Sequence, residues 1–239
     1  MAEAPRQASE DEILQEGFAR IEAAVEAGDT DLSKLGFWKL VRRVKVDPLL
    51  SQRWADVVGR IDDKAFRAAV RPRFPIWFGN GVLALGTLAG GGALSVAVVA
   101  EDPTVSGGAL VAAGVIWAVS LHDLAHWVTG RLAGMRFSSY FLGGMLPVPL
   151  YPGLKSDYAS YLRADPRARV WMHASGALAT KVAPFVPLTV WKLTAAPRWA
   201  ALTLAGVGVL QIVTDILFST RKSDWKKVRR ERAIARARA

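Results

Sequence analysis

Two histidines spaced one helical turn apart are the residues of this sequence best suited to chemistry. His122 and His126 enclose Asp-Leu-Ala within an apolar stretch, and the chain has only three histidines. Residues four positions apart share one face of a helix, so both imidazoles can reach the same metal ion. Asp123 lies between them, at the position where zinc hydrolases with a His-Glu-x-x-His motif carry their general base. The pattern predicts a metal site with a carboxylate beside it.

A metal site here needs further ligands from other segments, because catalytic zinc usually takes three protein ligands. The chain contains no cysteine, so those ligands must be His, Asp or Glu. Asp215 lies in a later apolar stretch, at about the depth expected for the histidine pair, and is the predicted third ligand. Its alternative role is an ion pair with Arg221 or Lys222. His173 is a further candidate, as a fourth ligand, a substrate contact or a structural residue at the membrane interface.

Two more polar side chains lie near these candidates in the sequence. Lys181 belongs to the apolar stretch that follows His173, where an ammonium group needs a partner or a water-filled cleft. It could pair with Asp123 or Asp215, or extend its charge to the interface. Asp224 lies beyond the last apolar stretch, and we expect it to cap a helix at the interface.

The composition indicates a membrane protein. Of the 239 residues, 51% are hydrophobic, yet the formal net charge is +10. Much of the positive charge flanks apolar segments, which favours anionic lipid headgroups over nucleic acid as the partner of the basic residues. We therefore expect no nucleic-acid binding, and we expect the basic tail to contact lipid headgroups.

Four hydrophobic segments are long enough to cross a membrane, for which roughly 20 residues suffice. They cover about residues 74–100, 105–128, 170–193 and 199–219. The sequence thus predicts an all-α polytopic membrane protein with about four transmembrane helices. Its predicted parts are a helical N-terminal region over 1–72, a transmembrane core over 73–220 and a basic tail over 221–239.

The N-terminal region has the pattern of a small helical unit. Ser9 and Glu12 form a capping-box pattern, and apolar residues follow at helical spacing until Gly28. A second helix is predicted around Trp38, and a third begins near Asp47. We expect a cytoplasmic cap or docking module here, without a catalytic site.

Basic residues are concentrated on one side of the predicted spans. They precede the first segment, fill the loop between the second and third, and recur after the fourth, whereas Lys192 and Arg198 are the exceptions on the other side. The positive-inside rule then predicts both termini in the cytoplasm of a multi-pass protein, most simply in the plasma membrane. The proline-rich stretch 140–153 is too short to span, and it predicts either a re-entrant hairpin or a loop on the membrane surface.

This arrangement resembles the site-2 protease family of intramembrane zinc metalloproteases, over roughly residues 105–225. The features that carry the resemblance are the histidine pair, the hairpin at 140–153, the small-residue stretch Ser-Gly-Ala-Leu-Ala-Thr ending at Thr180, and Asp215. The resemblance implies that His122, His126 and Asp215 hold one Zn²⁺. It also implies that Asp123 acts as general base and that the substrate is a membrane protein with a transmembrane helix.

The sequence departs from the family pattern at four positions. Asp123 replaces glutamate, Ala177 replaces proline, Thr180 replaces asparagine, and Ile216 replaces the glycine after the ligand aspartate. The first change shortens the general base by about 1.5 Å, one carbon–carbon bond, which bears on its reach to a water molecule. Two alternatives to the protease therefore stay open: a catalytically inactive relative that acts as a membrane scaffold or binding protein, and a small transporter that uses the same polar groups.

Overall fold

The computed structural model describes residues 9–145, 148–217 and 223–238. Most of these residues are helical. The helices are α1 (Glu10–Glu26), α2 (Phe37–Val46), α3 (Pro48–Ala69), α4 (Ile76–Val99), α5 (Pro103–Leu132), α6 (Tyr158–Arg163), α7 (Pro166–Val182), α8 (Phe185–Val190), α9 (Arg198–Leu217) and α10 (Asp224–Ala237). The strands are β1 (Arg73–Phe74), β2 (Phe137–Met145) and β3 (Val148–Ser156). Arg221 and Lys222, the alternative partners of Asp215, lie outside the described residues.

Helices α1, α2 and α3 pack around one hydrophobic core, as the sequence pattern predicts. The capping box is present: Ser9 Oγ accepts from the Glu12 amide, and the Glu12 carboxylate accepts from the Ser9 amide. Apolar side chains from all three helices are buried together, among them Phe18, Phe37 and Ile61. Helix α6 completes this core from a distant part of the sequence, because Leu162 is buried in the same cluster.

Among the described residues, three helices are long and apolar enough to cross a membrane: α4, α5 and α9. They match the first, second and fourth predicted segments and support a helical membrane protein. The third predicted segment differs, because it is divided between α7 and α8. Pro184 lies at this division and Pro187 in the first turn of α8, and neither has an amide hydrogen to continue the helix ladder. A fourth spanning helix stays a prediction.

Within the proline-rich stretch 140–153, residues 146 and 147 lie outside the described residues, and the remainder belongs to a small antiparallel sheet with strand order β1-β2-β3. Tyr140 pairs with Phe74 on one side and Leu154 on the other. The Tyr140 hydroxyl donates to the Asn80 side chain of α4 at 2.8 Å, and Lys155 of β3 forms an ion pair with buried Asp62 of α3. The hairpin is therefore fixed between the N-terminal helices and the first spanning helix, and its re-entrant character stays a prediction.

Helix α10 turns back onto the rest of the protein. It packs along α7 and also contacts α2. Glu231 of α10 is buried, with Lys45 of α2 at 2.6 Å and Arg169 of α7 at 2.9 Å. Arg238 donates to the Lys45 carbonyl oxygen and the Ser51 hydroxyl, each at 2.6 Å. The basic tail is thus a docked helix, and its position determines where Asp224 lies.

Candidate metal centre

The predicted pair and the carboxylate between them lie on the inner side of α5. The ligand atoms of His122, Asp123 and His126 all lie within 4.8 Å of one another. Asp123 and His126 are buried, and His122 is half-buried. Three such groups on a helix that is apolar enough to span a membrane match the sequence prediction of a group that could hold a metal ion.

Helix α7 orients both imidazole rings through its backbone. Nδ1 of His126 lies 2.6 Å from the Met172 carbonyl oxygen, and Nδ1 of His122 lies 3.0 Å from the Gly176 carbonyl oxygen. A carbonyl oxygen only accepts hydrogen bonds, so each Nδ1 must carry the proton and donate it. The neutral tautomer then leaves the Nε2 lone pair of each ring available to a metal, which is the usual support for ligating histidines.

Thr180 gives His122 a second partner on the same helix. Its hydroxyl donates to the Gly176 carbonyl oxygen at 3.1 Å, and its oxygen accepts from His122 Nδ1 at 2.8 Å. The residue that stands in place of the family's asparagine therefore touches the histidine pair directly. These contacts hold the ring of His122 in place.

The close approach of α7 to α5 requires glycine at position 176. A Cβ atom built there would lie 2.6 Å from Cε1 of the His126 ring, well inside van der Waals contact. The small-residue stretch at 175–177 thus provides the space in which the ring of His126 lies.

Asp224 of α10 completes the group of polar atoms. Its Oδ2 lies 3.3 Å from Nε2 of His126 and 3.5 Å from Nε2 of His122. Ligands bound to zinc at roughly 2.0–2.2 Å with tetrahedral angles are about 3.3–3.6 Å apart. The donor types are therefore those that zinc binds, and both distances from Asp224 to the histidines lie in the range expected between zinc ligands.

The environment of Asp224 keeps its carboxylate ionised. Burial alone would raise the pKa of Asp224, but the hydrogen bond to His126 and the Lys227 ammonium, 3.0 Å away, lower the pKa well below its usual range. Asp224 also lies in the first turn of α10, where the helix dipole favours negative charge. The alternative to a bound metal is a second proton on the His126 ring. That proton would lie between His126 Nε2 and Asp224 Oδ2 and make the two side chains an ion pair.

Asp215, the predicted third ligand, has other partners in the structure. Lys181 forms an ion pair with it, and the Trp225 indole donates to its Oδ2 at 3.1 Å. One of the two acidic partners predicted for Lys181 is thus observed. Neither histidine of the pair is among these described contacts of Asp215, and its role as a zinc ligand stays a prediction.

His173 also makes other contacts. Its Nε2 lies 2.9 Å from the Tyr161 hydroxyl, and its ring centre is 6.4 Å from that of His126. The structure therefore places His173 beside the candidate centre with a partner of its own.

The sequence predicts a capping role for Asp224 and gives no indication of its contact with the histidines. Asp224 does begin α10, directly after the N-cap residue Ser223. The signal that could have revealed its position is that Asp224 is the only acidic residue in the first turn of a strongly basic helix. Its contact with His126 depends on α10 folding back onto α7, which no local pattern predicts.

No family model matches this chain, and no curated protein or solved structure matches it.

Proposed function

We propose that this protein is an intramembrane zinc metalloprotease of the site-2 protease type, which hydrolyses a peptide bond in or near a transmembrane segment of a membrane protein. The observation that supports it is the convergence of His122 Nε2 and His126 Nε2 on one carboxylate oxygen of Asp224, at 3.5 and 3.3 Å. The buried carboxylate of Asp123 lies on α5, the helix that carries both histidines.

In this proposal His122, His126 and Asp224 hold the ion. Zinc bound there would lower the pKa of a water molecule and polarise the scissile carbonyl group. Asp123 takes the proton from the attacking water and returns it to the leaving amine. Its carboxylate accepts no hydrogen bond from the described residues, so its proton-accepting oxygens are not already engaged there.

The membrane and the sheet define how a substrate would approach. Basic residues flank the spans on one side, which favours cytoplasmic termini and a centre near the cytoplasmic face of a plasma-membrane protein. Strand β3 lies at the edge of the described sheet, and an unwound substrate segment could pair with it as an added strand.

A second candidate function is that of an inactive relative that binds membrane proteins as a scaffold. The shorter side chain of Asp123 favours it, because a general base must be within about 2.6–3.2 Å of the proton it removes. The hydrogen-bonded pair of His126 and Asp224 also favours it, since it satisfies both groups without a metal.

The first experiment measures the zinc content of the detergent-purified full chain, after purification without chelators and reconstitution with added zinc. We expect about one zinc per chain, lost in His126→Ala and in Asp224→Asn. Asp215→Asn is the matched control, because it removes an acid of similar position that bonds to Lys181 instead. Zinc lost in Asp215→Asn but kept in Asp224→Asn would assign the third ligand to Asp215. No zinc in the parent protein would refute the metalloprotease.

The second experiment separates catalysis from metal binding. The parent chain, Asp123→Asn and Asp123→Glu are co-expressed with a panel of tagged single-span membrane proteins, and cleavage fragments are detected by electrophoresis. We expect fragments with the parent and none with Asp123→Asn, although Asp123→Asn keeps its zinc. A zinc-loaded parent that cleaves nothing, with cleavage gained in Asp123→Glu, would support the inactive relative instead.

A further inference from the structure

A groove with basic walls runs between α7 and α10. Its volume is about 300 Å³. The residues that line it are Arg167, Val170 and Trp171 of α7 and Arg232, Ala235 and Arg236 of α10. Three guanidinium groups and an indole ring therefore surround one shallow cavity.

The three arginines are available to a ligand. All three are exposed, and no carboxylate among the described residues forms an ion pair with any of them. Asp165 accepts a hydrogen bond nearby, but from the backbone amide of Arg167, not from its side chain. Arg169, two residues further on, has the opposite arrangement, because it is fully buried against Glu231. The groove thus holds three positive charges without a protein counter-charge in the part of the chain that is described.

An apolar stripe continues from the groove along α7. Trp171, Leu178 and Val182 are 63%, 42% and 55% exposed. Their spacing of seven and four residues places them on one helix face. Tryptophan is enriched at membrane–water interfaces, and leucine and valine are suited to acyl chains. The groove and the stripe together have the charge and apolar pattern of a phospholipid, with its headgroup at one end.

We propose that this groove binds the phosphate headgroup of an anionic phospholipid, whose acyl chain lies along the Trp171–Leu178–Val182 stripe. Guanidinium groups bind phosphate oxygens through paired hydrogen bonds, and basic pockets between helices at the cytoplasmic face are a known form of lipid site. The stripe is the reason for choosing a lipid over a soluble phosphate, which would have no use for it. The proposal does not depend on the metal centre.

The test is native mass spectrometry of the detergent-purified full chain, titrated with phosphatidylglycerol or with phosphatidylcholine. We expect one phosphatidylglycerol to be retained in preference to phosphatidylcholine. The double variant Arg232→Ala/Arg236→Ala should bind phosphatidylglycerol about 30-fold more weakly, given a roughly five- to sixfold loss for each arginine near an anionic surface. Lys39→Ala/Arg42→Ala is the control, because it removes the same charge from exposed positions on α2. Circular dichroism checks that all variants keep the helical content of the parent.

Two results would overturn the proposal. Equal loss of lipid in the groove variant and in the control would mean that net charge alone attracts the headgroup. Displacement of the lipid by millimolar inorganic phosphate, with no effect of Leu178→Ser/Val182→Ser, would mean a site for soluble anions. A loss of lipid binding in Leu178→Ser/Val182→Ser together with retention in the control would support a bound phospholipid.

Discussion

In the described part of the chain, two largely buried polar clusters both involve helices α7 and α10. One is the candidate metal centre of His122, His126 and Asp224. The other, here called the ion cluster, consists of Lys45, Arg169 and Glu231. In each, one carboxylate of α10 meets groups from other helices, and Asp224 and Glu231 are seven residues apart, or two helical turns.

The two clusters differ in how their polar atoms are satisfied. In the candidate metal centre, each histidine uses Nδ1 for a hydrogen bond to α7 and directs Nε2 at Asp224. In the ion cluster, one carboxylate, that of Glu231, is the shared counter-charge of two cations, Lys45 and Arg169. The Arg169 guanidinium lies within ion-pair distance of Glu231 and over the Tyr161 ring, but it makes no aligned hydrogen bond within the described residues. The first arrangement can accept an ion, whereas the second holds α10 in place.

The largest effect should follow from breaking the ion cluster. Glu231→Ala leaves Lys45 and Arg169 buried without their counter-charge. Removing one partner of a buried pair typically costs about 3–5 kcal/mol. We expect a loss of this size in the free energy of unfolding, measured by thermal or denaturant unfolding in detergent. Arg229→Ala is the control, since Arg229 is exposed on the same helix. A loss below about 1 kcal/mol, typical of exposed pairs, would mean that α10 is not held by this cluster.

The next largest effect should be a loss of zinc affinity at the candidate metal centre, caused by a substitution that leaves all the candidate ligands in place. Gly176→Ala places a methyl group against the His126 ring and forces the ring or α7 to move. Disturbing the groups that support a ligand commonly costs about 10–100-fold in metal affinity. We expect a loss in this range, measured by competition with a zinc chelator. Gly206→Ala is the matched control, because a Cβ there meets no atom within 4 Å. Equal affinities in both variants would show that His126 does not bind the ion.

Features set by residues close together in the sequence are predictable from it, whereas contacts between distant segments are not. The histidine pair, the three spanning helices and the capping box are local patterns, in which spacing of a few residues determines the shared face or the cap. Asp224 and Glu231 contact residues that are 98 and 186 positions away. Those contacts depend on α10 turning back onto α7, so Asp215 was the more natural ligand by depth alone. The strands at 137–156 were also difficult to predict, because prolines in a hairpin and prolines in a surface loop look alike in sequence.

A pH effect should separate the ion cluster from the metal centre. Burial lowers the pKa of Lys45 from 10.5 to about 8, although Glu231 opposes the shift; Arg169 and Arg230 lower the pKa further. Between these values the unfolded chain keeps the Lys45 proton and the folded chain has lost it. Stability should therefore rise with pH across this window, by at most about 1.4 kcal/mol per pH unit.

The measurement is chemical unfolding of the parent and of Lys45→Met at several values from pH 7.5 to pH 10. The variant should lack the rise that the parent shows above pH 8. Parallel curves for the two proteins would mean that Lys45 titrates as an exposed lysine and that the cluster is open to water.

The smallest effect should come from Thr180, the second partner of His122. Thr180→Val removes the hydroxyl that accepts from His122 Nδ1 but leaves the Gly176 carbonyl oxygen to accept the same proton. Since one of two acceptors remains, we expect about a fivefold loss of zinc affinity, below the usual range for groups that support a ligand. Thr214→Val is the matched control, because the Thr214 hydroxyl bonds, within the described residues, only to the backbone of its own helix. A full loss of zinc would mean that Thr180 orients His122 alone, whereas an unchanged affinity would mean that the backbone of α7 is sufficient.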